Sequence, residues 1–332
     1  MRKYFTAVLI LTAAVIFFPA LPMAAPHKHT SHTSQKSEIP EKKENLSEQP
    51  YKVLDVSTGE IIEVPVRDYV IGAVCAEMPA EFHSEALKAQ AVAAHTYAER
   101  QRLHEREFPA PELNGADFST DVSQYQGYYT AEQAELFFGT DFEKNYKRIS
   151  EAADEVMDYV ITYDDEPIIS AFHSMSSGVT ESAENAWGAP VSYLVPVDSS
   201  SDIDAPKYTD EVRYDREVLR NKLETAFSEI VLDDDCPAWI LVRETSESGT
   251  VLKADVGNMT ATGAEIRNAL ALRSPCFEVR YEGSETIITT KGYGHCVGMS
   301  QYGANAMAAS GKTWKQILNH YYTGCKIEKY SQ

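Results

Sequence analysis

Between Pro65 and Pro79, apolar residues recur every three or four positions, which is the spacing of one helix face. The residues of this face are Val66, Tyr69, Val70, Ala73 and Val74. Pro65 suits a first helical turn and Pro79 ends a helix, so the pattern predicts a helix between them. The same spacing puts Glu77 on the apolar face, where burial raises the pKa of a carboxyl group, as a general acid near neutral pH requires. A cap or an ion pair at a helix end is the other interpretation of Glu77.

A second helical pattern opens near Ser84 and is rich in small residues. Its alanines are Ala86, Ala89, Ala91, Ala93, Ala94 and Ala98. A helix with such a surface can approach its neighbours closely. Gln90 lies among these alanines, where a buried amide needs hydrogen-bond partners, so we consider that it holds either a substrate or Glu77.

Two apolar runs, residues 156–163 and 167–172, flank an acidic turn and are typical of paired strands. The second run leads into a loop where hydroxyl residues and a glycine surround one histidine. The candidate binding residues of this loop are His173, Ser174, Ser176 and Gly178. The loop suits sugar hydroxyls or phosphate, and it equally suits a polar surface turn with a structural histidine.

A third informative stretch begins with Thr262 and Glu265, which have the spacing of a capping box for a short helix. Strands are expected around residues 276–281 and 286–291. A glycine-rich segment follows, and its candidate binding residues are His295, Ser300, Gln301 and Tyr302. Glycines at this density let the backbone approach a ligand closely, but their spacing is not that of a GxGxxG phosphate loop.

The N-terminal 25 residues are typical of a targeting segment. Arg2 and Lys3 precede an apolar run that is long enough to cross a bilayer as a helix. We expect a membrane anchor with a cytoplasmic N-terminus, and a cleaved signal peptide is the alternative. Residues 26–50 are polar and contain prolines, which predicts a flexible linker.

The whole chain has 43% hydrophobic residues and a net charge of −20, a composition typical of soluble globular proteins. Beyond residue 50 there are 24 basic against 46 acidic residues. Such a charge repels nucleic acid and anionic lipid, so a neutral or weakly charged substrate fits better. Part of the acidity falls in a segment at about 202–235, which we interpret as a helical insert.

Five cysteines are spread along the chain at Cys75, Cys236, Cys276, Cys296 and Cys325. Their spacing matches neither a metal finger nor a disulfide framework. We expect mostly thiols in apolar packing, with one or two bridges left open.

These patterns together predict an α+β fold over residues 51–330. Two helices that are rich in small residues should pack on antiparallel strands. Glu77 should meet the loops at 173–187 and 292–303 in one cleft.

Three segments resemble the stage II sporulation protein D family and its autolysin-modifying relatives. They read AEMPAEFHSEALKAQAVAAHTYAE, FHS...SG...TESAENAW and GYGHCVGMSQYGANAMA...HYYTG, within a match over about residues 50–328. The resemblance implies a membrane-anchored lytic transglycosylase that cuts peptidoglycan glycan strands during forespore engulfment. It also implies an amidase partner that strips stem peptides, a polytopic membrane partner, and a body on the extracytoplasmic side of the mother-cell membrane.

The resemblance puts the family's catalytic glutamate on Glu77. His173, Ser174, Gly178, His295, Gln301 and Tyr302 fall on its other cleft motifs. His95 stands where relatives usually carry Arg, and Cys296 where they usually carry Gly. In some relatives, the segment that corresponds to residues 113–125 resembles a zinc site. Here this segment contains no Cys or His, so we expect neither metal nor cofactor.

The implied reaction needs a single carboxyl group. Glu77 would protonate the glycosidic oxygen and then take the proton of the C6 hydroxyl of N-acetylmuramic acid, which closes on C1 to give a 1,6-anhydro end. Two other classes of function stay open. One is a non-catalytic glycan-binding activator of the amidase, and the other is a cysteine hydrolase that uses Cys296 with His295.

Overall fold

The computed structural model describes residues 49–236 and 238–330. The predicted anchor and nearly all of the predicted linker lie outside the described residues. Within the described part, no helix is both long and apolar enough to cross a membrane.

The helices of the described chain are α1 (Val66–Glu77), α2 (Ser84–Glu107), α3 (Ala131–Phe138), α4 (Phe142–Asp154), α5 (Ala183–Trp187), α6 (Arg216–Ala226), α7 (Gly263–Leu270), α8 (Gln301–Ala309) and α9 (Trp314–Tyr321). The strands are β1 (Tyr51–Asp55), β2 (Glu60–Val64), β3 (Phe118–Ser119), β4 (Tyr159–Tyr163), β5 (Glu166–Pro167), β6 (Phe172–His173), β7 (Thr209–Tyr214), β8 (Ile240–Thr245), β9 (Val251–Val256), β10 (Met259–Ala261), β11 (Phe277–Glu282), β12 (Glu285–Lys291), β13 (Met299–Ser300) and β14 (Lys326–Lys329). This mixture of helices and small sheets confirms the α+β class.

The chain divides into two compact units. Residues 49–120, 128–170 and 324–330 form one, here called the N-terminal unit. Residues 121–127 and 171–323 form the other, here called the C-terminal unit.

The N-terminal unit contains two three-stranded sheets, with the orders β2-β1-β3 and β14-β4-β5. Helices α1, α2 and α4 pack on one another, and α2 also packs on β4. Tyr51, Tyr69 and Phe118 form a buried aromatic cluster with ring centroids 4.8–5.4 Å apart. The predicted helices are therefore the core of this unit, and α1 ends at Glu77 as its spacing predicted.

The C-terminal unit contains sheets with the orders β11-β12-β7 and β10-β9-β8, and the two-stranded pair β13-β6. Leu219 and Leu223 of α6 pack with Ile240, Ile266 and Ile288 in a single apolar core. The capping box predicted at the start of α7 is present between Thr262 and Glu265.

Three expectations about the strands need correction. The run at 167–172 is not one strand, because β5 pairs with β4 whereas β6 pairs with β13. The strands are not all antiparallel, since β1–β3 and β6–β13 are parallel pairs. The segment at 202–235 is only partly helical, because its residues 209–214 form β7 and pair with β12.

Candidate functional site

Glu77 is the last residue of α1 in the N-terminal unit. Residues 69–75 of this helix are buried, whereas Glu77 is partly exposed. Met78 has an extended backbone and ends the helix, so the carboxyl group lies where α1 reaches the surface of its unit. The predicted position on the helix is right, but Glu77 is less buried than its apolar neighbours.

Tyr129 lies beside this end of α1. Its backbone N–H donates to the Gly72 carbonyl at 3.2 Å. Burial, and then the nearby charge of Glu77, raise the pKa of Tyr129, so its hydroxyl stays protonated at neutral pH. Nothing in the local sequence connects Tyr129 with Glu77, because more than 50 residues separate them.

Gln90 is fully buried in α2, among Ala86, Ala89 and Ala93. The alanine-rich surface therefore does place an amide in the interior of the N-terminal unit. Contact between Gln90 and a substrate stays a prediction.

His173 and His295 lie together in the C-terminal unit, with ring centroids 5.7 Å apart. Val297 fixes both rings. The Nδ1–H of His173 donates to the Val297 carbonyl at 3.0 Å, and the Val297 N–H donates to Nδ1 of His295 at 3.0 Å. In the neutral rings, Nε2 of His173 is therefore an acceptor and Nε2 of His295 carries a proton. Among the described residues, the buried Nε2 of His173 has no hydrogen-bond partner.

Both rings are neutral near pH 7. Burial lowers the pKa of His173 to about 4, although the charge of Asp202 and the bond to Val297 act against it. Burial, the neighbouring His173 and Arg267 place the pKa of His295 well below its usual range. The pair is thus uncharged at neutral pH, with a buried acceptor nitrogen on His173 and a buried N–H on His295.

Two glycines bring the glycine-rich loop against the His173 strand. Gly294 has φ +110°, and a Cβ there would lie 2.8 Å from Cβ of His173. Gly298 has φ +72°, and a Cβ there would lie 2.0 Å from the Ala171 carbonyl oxygen. These glycines let the loop approach its own chain, whereas the sequence had suggested close approach to a ligand.

Trp187 completes an aromatic group with the two histidines. Its ring lies 5.7 Å from that of His295, and its side chain is partly exposed. An indole face beside neutral polar groups is suited to the apolar face of a sugar ring. Trp187 lies in the FHS...SG...TESAENAW motif, but it was not predicted as a binding residue.

Asp202, which was not predicted as a site residue, holds two of the predicted binding residues. Its fully buried carboxylate accepts from the N–H and the hydroxyl of Ser176, both at 2.7 Å, and from the Ser300 hydroxyl at 2.8 Å. Ser300 also caps α8, because its oxygen accepts the Gly303 N–H at 3.0 Å. These serines position the His173 loop and α8, and their contact with a substrate stays a prediction.

The remaining predicted residues line the same two segments. The Gly178 N–H donates to the Ser176 hydroxyl at 3.1 Å, and the Tyr302 N–H donates to the Ser174 carbonyl at 3.0 Å. Gln301 begins α8 and is 5% exposed. The structure therefore brings the 173–178 and 295–302 residues together, as the motifs implied. The expectation that Glu77 shares one cleft with them stays a prediction.

The burial and the acidity of Cys296 argue against a cysteine nucleophile. Cys296 is fully buried, and the influence of Cys276 together with burial raises the pKa of the Cys296 thiol well above its usual range. A thiolate is therefore disfavoured next to His295. Within the part of the chain that the structure describes, no three His, Cys, Asp or Glu side chains are grouped to hold a metal ion.

Comparison with known proteins identifies the family. The family model described as stage II sporulation protein matches residues 55–163. Stage II sporulation protein D of Bacillus subtilis (strain 168) is 32% identical over 341 residues, which cover 99% of this chain and 96% of that protein. The protein of the same name from Bacillus amyloliquefaciens is 35% identical over 327 residues, which cover 97% of this chain and 92% of the relative. The amidase enhancer of Bacillus subtilis (strain 168) is 27% identical over 307 residues, which cover 78% of this chain and 40% of that protein. The chain therefore belongs to the stage II sporulation protein D family and is related to the amidase enhancer.

Proposed function

We propose that this sporulation protein is a lytic transglycosylase that cuts peptide-free peptidoglycan glycan strands, with Glu77 as general acid and general base. Glu77 supports the proposal most directly. It is an acidic residue at the surface end of an otherwise buried helix, inside the segment that the family model matches.

In this reaction a single carboxyl group first donates a proton and then takes one back. The protonated carboxyl of Glu77 donates to the glycosidic oxygen, and the bond between C1 of N-acetylmuramic acid and that oxygen breaks. The resulting carboxylate accepts the proton of the C6 hydroxyl of the same sugar, whose oxygen bonds to C1. Glu77 is protonated again, and no water is consumed.

The position of Glu77 suits a group that is protonated for part of its cycle. The last turn of α1 contains no basic residue. A negative charge there faces the negative end of the helix dipole. Tyr129, protonated beside it, can donate to the carboxylate when the proton has left.

The histidine and tryptophan group supports a neutral saccharide as the ligand. The neutral His173 and His295 rings put no charge beside Trp187, whose partly exposed ring offers an apolar face. Denuded glycan carries almost no charge, which fits a chain with a net charge of −20.

A second candidate function is activation of a cell-wall amidase without cutting by this chain. The relation to the amidase enhancer favours it. In that case the histidine and tryptophan group would hold glycan for the partner enzyme, and Glu77 would be dispensable.

We also propose a cell-wall amidase and a polytopic membrane protein as partners. The body would lie on the extracytoplasmic side of the mother-cell membrane, tethered through residues 1–50. Digestion of the body by protease added to intact mother-cell protoplasts would support this orientation, and full protection of a membrane-bound chain would contradict it.

The test of the reaction compares Glu77→Gln with Glu81→Gln. Glu81 is exposed four residues further along the chain and serves as the matched control. The substrate is peptide-free glycan, and mass spectrometry measures the fragments with 1,6-anhydro ends. We expect Glu77→Gln to lose at least about 10²-fold in rate, because the amide keeps the shape but transfers no proton.

Glycan pull-down and a thermal melt establish that the Glu77→Gln protein is folded and still binds. Wild-type cutting by this variant would refute the proposed mechanism. Loss of cutting with full activation of an amidase would separate the two candidate functions, and reducing-end products from the wild type would indicate hydrolysis instead.

A further inference from the structure

A buried arginine that the proposed reaction does not use lies inside the C-terminal unit. Arg267 belongs to the last turn of α7 and is 8% exposed. Its Nε–H donates to the Arg273 carbonyl at 3.3 Å. Among the described residues, its two terminal nitrogens have no hydrogen-bond acceptor, and no carboxylate forms an ion pair with it. The negative end of the α7 dipole favours a cation at this position, but it leaves these nitrogens without a partner.

The groups around Arg267 do not neutralise its charge. Only the ionised forms of Cys296 and Tyr293 would favour that charge. The influence of Cys276 together with burial raises the pKa of Cys296, and burial raises the pKa of Tyr293, so both groups are neutral near pH 7. A buried charge without a counter-charge destabilises a fold. Its presence here therefore points to an anionic ligand.

The terminal nitrogens of Arg267 are within reach of such a ligand. The described side-chain nitrogens that are both fully enclosed and unpartnered include Nε of Arg102 and Nε2 of His173, but neither terminal nitrogen of Arg267. Because these two nitrogens have no partner in the described chain, they must be in part exposed to solvent. Arg267 thus combines a buried stem with a charged end that solvent can contact.

A second arginine lies beside the same loop. The Arg273 carbonyl that accepts from Arg267 also accepts the Gly294 N–H at 2.9 Å. The Cζ atom of Arg273 lies 4.5 Å from the centroid of the Tyr293 ring, and its Nη1–H donates to the Lys207 carbonyl at 2.6 Å. Arg273 likewise forms no ion pair with a carboxylate of the described chain. Two cations without an acidic partner therefore flank the start of the glycine-rich loop.

This loop also carries the proposed saccharide-binding group. Gly294 directly precedes His295, whose ring lies 5.7 Å from that of Trp187. The Arg273 carbonyl, to which both Gly294 and Arg267 donate, is thus bonded to the residue next to His295. A sugar at the histidine and tryptophan group would have the two arginines on the neighbouring part of the loop.

We propose that Arg267, supported by Arg273, binds a carboxylate of peptide-free glycan. A stem peptide is joined to the lactyl group of N-acetylmuramic acid through an amide. Hydrolysis of that amide leaves a carboxylate at this position, whereas a sugar that still has its peptide carries a neutral amide there. A guanidinium donates two parallel hydrogen bonds to a carboxylate, which makes Arg the side chain best suited to recognise it.

The charge of the whole chain restricts which anion fits. A net charge of −20 repels polyanions, and two arginines create only a local cationic point. A weakly charged sugar chain with isolated carboxylates meets both conditions. Arg267 would then distinguish glycan that has lost its peptides from glycan that has kept them. This inference rests on the proposed glycan ligand, but it does not depend on cutting by Glu77.

The experiment compares two glycans on the full-length protein by titration calorimetry. One is peptide-free glycan with free lactyl carboxylates. The other is the same glycan after carbodiimide coupling to methylamine, which converts these carboxylates to neutral amides. We expect the wild type to bind the first glycan about tenfold more tightly, because only the carboxylate forms charge-assisted hydrogen bonds with a guanidinium. Added salt should reduce this preference.

Substitutions assign the preference to one side chain. Arg267→Gln should bind both glycans equally, at the wild-type affinity for the neutral glycan, and Arg267→Lys should keep part of the preference because it keeps the charge. Arg243→Gln is the matched control, since it removes the same charge from an exposed arginine that pairs with Asp255 in the same unit, and its preference should stay tenfold.

A thermal melt separates binding from a structural role. The melting temperature of Arg267→Gln should stay within about 2 °C of the wild type or rise, because the variant removes a charge that has no counter-charge. An arginine with only a structural role would instead lower the melting temperature and leave the preference between the glycans unchanged.

Equal affinity of the wild type for the two glycans would overturn the proposal, and this comparison requires no variant to fold. A preference that Arg267→Gln retains would overturn the assignment to Arg267. Stabilisation by inorganic phosphate that depends on Arg267, without a preference between the glycans, would indicate a site for free anions instead. A preference without glycan cutting would refute the proposed reaction and support this inference, whereas binding of neither glycan would overturn both.

Discussion

Replacing Asp202 by alanine is expected to destabilise the C-terminal unit strongly. The fully buried carboxylate accepts three hydrogen bonds, from the N–H and hydroxyl of Ser176 and from the hydroxyl of Ser300. Alanine leaves the two Ser176 donors buried without this acceptor, and it leaves the Ser300 hydroxyl to the more distant Ser174 carbonyl at 3.4 Å. It also releases α8 from the His173 loop, because the cap of α8 is one of the three donors.

The size of the effect follows from the bonds that are lost. A hydrogen bond to a charged acceptor contributes about 1.5–3 kcal/mol, but the alanine variant also no longer buries a charge. We therefore expect a net loss of about 3–5 kcal/mol in the free energy of unfolding. For a unit of this size, that corresponds to a melting temperature about 6–20 °C lower. Asp202→Asn keeps the shape and part of the bonding, so it should lose about 1–3 kcal/mol.

The chain contains three tryptophans, Trp187, Trp239 and Trp314, and all of them lie in the C-terminal unit. Tryptophan fluorescence during thermal unfolding therefore reports on that unit. Asp204→Ala is the matched control, because Asp204 is exposed in the same 3₁₀ turn and should change stability by less than about 0.5 kcal/mol. An Asp202→Ala protein that melts within about 1 °C of wild type would refute the reasoning.

Four further outcomes can be checked. Burial acts to raise the pKa of Glu99, but His95 and Arg102 outweigh it and lower that pKa to about 2, below the ordinary 4.5. The lowered pKa means that the charged Glu99 side chain stabilises the folded state by about 3 kcal/mol; this contribution is complete above pH 4.5 and is lost as the pH falls towards 2. The free energy of unfolding of Glu99→Gln, measured by urea unfolding with circular dichroism, should therefore depend less on pH in that range than that of the wild type. Gly303→Ala should lower stability by about 1–3 kcal/mol in the fluorescence melt, because its Cβ would lie 2.1 Å from the Tyr321 hydroxyl oxygen; an unchanged melt would contradict this packing. Trp187→Ala should weaken glycan binding about tenfold by calorimetry, whereas Trp314→Ala should leave it unchanged, and equal affinities would exclude the stacking role. Glycan cutting should survive EDTA, and activity that is lost and then restored by zinc would reveal a metal site.

Features encoded over a few residues could be predicted from the sequence. The spacing of three and four residues placed Glu77 at the end of α1, and the Thr262 and Glu265 pair marked the start of α7. Each depends on neighbours within one or two helical turns, so composition and spacing contain the necessary information.

Features that depend on distant partners could not be predicted in this way. Asp202 lies at the start of the acidic segment that was interpreted as a helical insert, but its partners lie 26 and 98 residues away in the chain. The ring orientation of His173 depends on Val297, 124 residues further along. The glycines were expected at a ligand, but the partners that Gly294 and Gly298 approach are His173 and Ala171.

The parallel pair β6–β13 also affects the order in which the chain can fold. The His173 to Val297 bond closes a loop of 124 residues, and such long closures form late because their entropy is lost before the contacts are made. The N-terminal unit has the same property, since β14 pairs with β4 and Tyr330 donates to Glu99 across 231 residues. The N-terminal unit cannot be completed while residues 324–330 are still being synthesised. A ribosome-bound chain that stops before β14 should therefore remain protease-sensitive in this unit even though α1 and α2 are already made.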